Sequence, residues 1–132
     1  MTTILLVDDD DVVRGAIGDW LEDAGFEVVG AEDGARGLEA LQANPGIALA
    51  VIDLVMPARG PAGAALAEAI RQARPEVPVI LMTGYYAAAV RIGEVAEVLF
   101  KPLDHARLIG KIRERLSAGG GGRLGSGPPL AN

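Results

Sequence analysis

Five side chains in this sequence of 132 residues could do chemistry together. Asp8 and Asp9 follow the apolar run "ILLV". Asp53 follows "IALAVI", Thr83 follows "VPVILM" and Lys101 follows "EVLF". Taken singly, each reads as a turn residue, a helix cap or a surface position. Taken together they make a set. Carboxylates gathered at one place repel each other and need a cation or a shared proton. A few hard oxygen ligands, with water completing the shell, suit Mg²⁺, and Mn²⁺ can take the same place. A lysine opposite balances an incoming anion, and a hydroxyl can donate to it. Metal, ammonium, hydroxyl and a nucleophilic carboxylate describe a place for a phosphoryl group.

These residues act together only if the fold brings them to one edge, and the hydrophobic pattern predicts that it does. Short β-branched runs occur at Ile4–Val7, Glu27–Ala31, Ile47–Ile52, Val77–Met82 and Glu97–Phe100. Between them lie stretches with helical spacing. The first carries Val13, Ile17, Trp20 or Leu21, and Ala24, and ends at Gly25. The second spans about 34–43 with Leu38 and Leu41, the third about 61–73 with Leu66 and Ile70. The fourth is "YYAAAVRI", and the fifth holds Leu108, Ile109, Ile112 and Leu116. Strand–helix alternation predicts βαβ units and a parallel sheet covered on both faces. Three of the runs are almost wholly apolar, as strands buried on both faces require. Open α/β sheets bind ligands beyond the carboxyl ends of their strands, where the five polar residues stand. In "DDDD", Asp8 and Asp9 are assigned to that edge. Asp10 is placed to cap the first helix, and Asp11 sits in its first turn.

Composition narrows the function classes. Net charge is −6, with no basic face for nucleic acid, and no cysteine is present for a disulfide or thiolate site. No apolar run approaches the roughly 18–20 residues of a membrane helix. The start lacks the basic segment and cleavage site of a signal peptide. A cytoplasmic protein with no membrane partner is expected. Residues 1–117 read as one domain. Residues 118–132 hold six glycines and two prolines and read as a flexible tail.

The motifs "LLVDDD", "VIDLVMP", "VILMTG" and "FKP", in that order, resemble the receiver domain of bacterial response regulators, over about residues 2–117. The resemblance implies a flavodoxin-like (βα)5 fold with a five-stranded parallel sheet of order 2-1-3-4-5, for which a receiver is a standard example. It implies that Asp53 accepts a phosphoryl group from a histidine kinase or a histidine phosphotransfer protein. Asp9 and Asp53, the Val55 backbone carbonyl and, partly through water, Asp8 would hold Mg²⁺. Thr83 and Lys101 would turn to the phosphoryl group, Gly84 would leave it room, and the Lys101–Pro102 bond would be cis. The output partner would dock on the face of the fourth helix, fifth strand and fifth helix. That face also leaves room for a homodimer on phosphorylation. The chain would be a switch, not an enzyme with a separate substrate.

The sequence departs from the family pattern in three places. Val98 stands where receivers commonly carry an aromatic on strand five, so Thr83 alone, or Tyr85 or Tyr86, would transmit the change. The Asp-Gly turn after "MP" is replaced by "ARGPAG", where Gly60 and Pro61 can turn the chain and start the third helix. Apolar Val55 and bulky Tyr85 flank the expected phosphoryl group and should slow its loss to water. Two other readings are open. "ILLVDDDDV" also fits the opening motif of haloacid-dehalogenase-type phosphatases, though no paired acidic motif follows Lys101. A receiver fold that docks a partner without phosphorylation is the other. His105 reads as a surface residue.

Overall fold

The computed structural model describes residues 1–55, 60, 63–84 and 97–122. Along it run β1 (Thr3–Val7), α1 (Asp11–Asp23), β2 (Glu27–Ala31), α2 (Gly34–Ala43), β3 (Ile47–Asp53), α3 (Gly63–Ala73), β4 (Val79–Thr83), β5 (Glu97–Phe100) and α4 (His105–Gly122). The strands form one parallel sheet of order β2-β1-β3-β4-β5, the order the resemblance implied. The fourth helix expected from the sequence, with Tyr85 and Tyr86, lies outside the described residues, so α4 is the fifth of that reading. It runs to Gly122, past the boundary drawn at residue 117; residues 123–132 of the expected tail also lie outside.

The period of two along each strand splits the core into two layers. Leu5 and Val7, Ala50 and Ile52, and Val79 and Leu81 pack with Leu41 of α2 and Leu66 and Ile70 of α3. The alternate residues Ile4 and Leu6, Leu49 and Val51, Ile80 and Met82, and Leu99 pack with Ile17 and Leu21 of α1 and Leu108 and Ile112 of α4. The near-continuous apolar runs arise because β1, β3 and β4 are covered on both sides. A leucine or isoleucine so buried stabilises the fold by roughly 1.5–3 kcal/mol, which gives the site at the sheet edge a stiff base.

Local signals fix where the elements begin and end. The Asp10 carboxylate accepts from the Val12 and Val13 N–H groups at the start of α1. The helix closes where Phe26 N–H reaches back to the Leu21 carbonyl, a reversal that Gly25 permits at φ 97°. Asp33 caps α2 through the Arg36 N–H, and Asp104 caps α4 through the Arg107 N–H. β4 starts two residues later than the pattern suggested. Pro78 has no N–H to give a ladder, so only its carbonyl pairs, with the Ala50 N–H. Both β3 and β4 run one residue further than expected, which makes Asp53 and Thr83 strand residues rather than loop residues.

Two tertiary contacts have no counterpart in the sequence reading. Arg74, just past α3, donates through Nη2 to the carbonyls of Pro45 and Ile47, each at 2.9 Å, and through Nε to Glu76. It ties the α2–β3 connection to the end of α3. His105 is exposed as expected, yet its ring stacks on Trp20, with centroids 5.0 Å apart and planes 11° from parallel.

Candidate functional site

Register explains how the site assembles. Val7 pairs with Ala31 and Ile52, so the next residues, Asp8 just past β1 and Asp53 at the end of β3, stand side by side. Asp8 N–H extends the ladder to the Ala31 carbonyl at 3.1 Å. Asp53 pairs with Met82, which sets Thr83 one step further out, and Thr83 pairs with Phe100, which sets Lys101 one step beyond that. Lys101 N–H then donates to the Thr83 carbonyl at 2.8 Å. All five residues predicted for the edge are delivered to it.

The carboxylates converge. One oxygen from each of Asp8, Asp9 and Asp53 lies within 4.8 Å of the other two. Asp8 is fully buried and Asp53 nearly so. Lys101 Nζ lies 3.2 Å from Asp53 Oδ2, and the Val55 N–H donates to Asp53 Oδ1 at 3.2 Å. Asp8 Oδ1 accepts from the Asp10 N–H at 2.9 Å. Its other oxygen, Oδ2, is buried and has no hydrogen-bond partner among the described residues. Burial raises the Asp8 pKa above the ordinary aspartate value. The Asp10 N–H opposes this, the Asp53 charge adds to it, Lys101 opposes it and Asp9 adds to it. An orphaned buried oxygen beside two more carboxylates is a donor set for a hard divalent cation.

The remaining expectations fall as follows. Lys101–Pro102 is cis. Among the described residues, its chain neighbours aside, nothing lies within 4 Å of a Cβ built at Gly84. Thr83 itself is 1% exposed. Val55 is 46% exposed, and Val98 packs partly buried against the α2–α3 layer. Gly60 adopts φ 84°, the turn expected of it, while Pro61 and Tyr85 lie outside the described residues. The phosphatase motif loses its second acid: Asp10 is engaged in capping α1.

Two site-shaping residues were missed by the sequence reading. A side chain at Gly63 would strike the Leu54 backbone and come within 2.7 Å of the Asp53 carbonyl oxygen, so α3 starts flush against the strand end that carries Asp53. Nothing in the sequence marks that approach. Arg14 reaches back from α1, with Nη1 2.6 Å from the Asp8 carbonyl oxygen and Nη2 2.6 Å from Asp11 Oδ1. Its i,i+3 spacing from Asp11 was a legible signal.

Comparison with known proteins agrees with this geometry. Residues 4–113 match the family model described as the response regulator receiver domain. The transcriptional regulatory protein CseB of Streptomyces avermitilis is 40% identical over 117 residues, covering 85% of this chain and 48% of that protein. The response regulator receiver protein CpdR of Brucella abortus is 33% identical over 122 residues, covering 89% of this chain and 99% of that protein. A crystal structure of a CheY-like response regulator receiver domain protein from Methanospirillum hungatei superposes with a TM-score of 0.81 at 29% identity, covering 95% of this chain and 99% of that one. The chain spans about half the length of the CseB relatives it matches.

Proposed function

The chain belongs to the response regulator receiver domain family, and from that premise we propose that Asp53 is its phosphoryl acceptor, with a bound Mg²⁺ required for the transfer. The observation that carries this reading is the orphaned, buried Oδ2 of Asp8, a residue that clusters with Asp9 and Asp53, the last paired with Lys101. An Asp53 oxygen attacks the phosphorus of a phosphohistidine. The P–N bond breaks, its electron pair stays with the imidazole, and an acyl phosphate forms on Asp53. A cation held by Asp8, Asp9, Asp53 and the Val55 carbonyl supplies charge neutralisation for the phosphoryl oxygens. Mn²⁺ would serve in its place.

The protein's own groups do the rest. Lys101 holds Asp53 Oδ2 before transfer and can follow the added charge afterwards. Thr83 stands one step along the edge, where its hydroxyl would turn to a phosphoryl oxygen, and Gly84, which carries no side chain, would leave that group room. The acyl phosphate carries about −1.5 to −2 charges in place of the single negative charge of the Asp53 carboxylate, so the site gains up to about one negative charge together with new acceptor oxygens. The Thr83 and Lys101 loops respond, and a partner protein reads the face that includes β5 and α4. A histidine kinase or phosphotransfer protein upstream, a protein partner downstream, dimerisation through that face and a cytoplasmic setting complete the proposal. It has the chain catalyse only its own phosphorylation and dephosphorylation. Among the described residues no helix is long and apolar enough to cross a membrane.

The test is covalent labelling with a small acyl phosphate donor, followed by intact mass. The expected result is one phosphoryl group per chain, dependent on Mg²⁺ and absent from Asp53→Asn. Labelling that survives Asp53→Asn, or that ignores chelation, would sink the proposal.

A further inference from the structure

The three carboxylates of the cluster are not held alike. Asp8 is tied through its own N–H, through Oδ1 and by its carbonyl. Asp53 is tied by the Val55 N–H and by Lys101. No hydrogen bond among the described residues holds the Asp9 carboxylate, which is partly exposed. Its aim must come from the backbone that carries it. The peptide plane between Asp8 and Asp9 sets that aim, and the oxygen of that plane is the one Arg14 grips at 2.6 Å.

We propose that Arg14 is a positioning residue for the cation site: its guanidinium fixes the Asp8–Asp9 peptide and so directs the Asp9 carboxylate toward Asp8 and Asp53. The inference rests on the cation-site reading given above. The fork is anchored at both ends. One arm holds the Asp8 carbonyl and the other the Asp11 carboxylate, so the turn between β1 and α1 is braced against the helix start. The side chain is 22% exposed, against 83% for Asp11. Its stem lies over β2 at Gly30, where an added Cβ would sit 3.6 Å from Arg14 Cδ and 3.8 Å from Nε. An alanine fits there. A branched residue reaches further and displaces the stem. Gly30 is therefore the floor on which the clamp rests, and Asp11 is more than a helix-dipole residue.

Charge and geometry predict opposite signs, which makes the role testable. A guanidinium near a cation site repels the cation, so deleting it as a charge alone would tighten Mg²⁺ binding. Deleting it as a clamp weakens binding, and partners that orient a metal's ligands typically matter by about 10–100-fold. Lysine keeps the charge but not the two-armed fork.

The experiment is calorimetric titration of Mg²⁺ into the wild type, R14A, R14K and G30V. The metal-free melting temperature of each is read by circular dichroism. The expected result is about ten-fold weaker Mg²⁺ binding in both R14A and R14K. G30V should also bind more weakly, while a β-branched residue in the strand leaves its metal-free melting unchanged or higher. A merely structural Arg14 would lower melting temperature and leave the affinity of the folded protein within two-fold. That result, tighter binding in R14A, or R14K matching the wild type would each overturn the clamp. If R14A does not fold, G30V carries the test, and G30V binding Mg²⁺ like the wild type is then the overturning result. Wild-type protein that takes up no Mg²⁺ would instead refute the cation-site reading, and the clamp with it.

Discussion

Replacing Asp8 by asparagine should stabilise the metal-free protein while removing most of its response to Mg²⁺. In the metal-free state Asp8 is a fully buried carboxylate with one orphaned oxygen, within 4.8 Å of acidic oxygens on both Asp9 and Asp53. At that distance a pair of like charges costs about 0.9 kcal/mol in a water-like dielectric and roughly 3.5 kcal/mol at an effective constant of 20. Lys101 offsets part of this. Asparagine keeps the Oδ1 acceptor for the Asp10 N–H, removes the charge and puts a donor in place of the orphaned acceptor in the acidic cluster. A net gain of about 1–2 kcal/mol follows, or roughly 3–8 °C in melting temperature for a domain of this size. Mg²⁺ reverses the order. At ten times its dissociation constant the cation adds about 1.4 kcal/mol to the wild type and much less to the variant. The assay is thermal unfolding at neutral pH, in chelator and in excess Mg²⁺. The raised pKa fixes how the gain depends on pH. The cost of the Asp8 charge is fully present above its folded-state pKa. It disappears as pH falls below the ordinary aspartate value, so the advantage of the variant should vanish in acid. If Asp8→Asn melts below the wild type in chelator, or if Mg²⁺ raises both equally, the electrostatic reasoning is wrong.

Other outcomes follow from the same geometry. Proton and cation compete for Asp8, so apparent Mg²⁺ affinity should fall on acidification from a pH above that of an ordinary aspartate; titrations across pH 4–7 that give a flat affinity would contradict this. Arg74→Ala removes a guanidinium serving the Pro45 and Ile47 carbonyls and Glu76, and should cost roughly 2–4 kcal/mol in urea unfolding, with lysine restoring less than half. Val55 stands 46% exposed beside the acceptor. Val55→Asn offers water a polar partner there, so phosphorylated protein should lose its label several-fold faster by intact mass, and an unchanged decay would remove Val55 from that role.

The sequence by itself determined the layered plan. Near-continuous apolar runs demanded strands covered on both faces, and helical spacing between them demanded parallel connections. A polar residue after four of those runs was then bound to reach one edge. Asp10, Gly25 and Gly60 were legible because caps and reversals depend on local backbone chemistry. Val98 was legible too, as an absent ring. Tertiary structure alone decided the rest, because it depends on which distant groups share a space. The same motif in "DDDD" gives no hint that Asp8 keeps an oxygen without a partner, since that depends on what Asp53 and Lys101 bring. Arg74 looks like any residue at a helix end until the α2–β3 carbonyls gather around it. Gly63 looks like a turn glycine until the Asp53–Leu54 backbone is laid against it. Arg14 and Gly30 are sixteen residues apart in the sequence, and only the pairing of β1 with β2 puts the stem of one over the open face of the other. Periodicity encodes which face is buried. It does not encode which carbonyl a guanidinium will find.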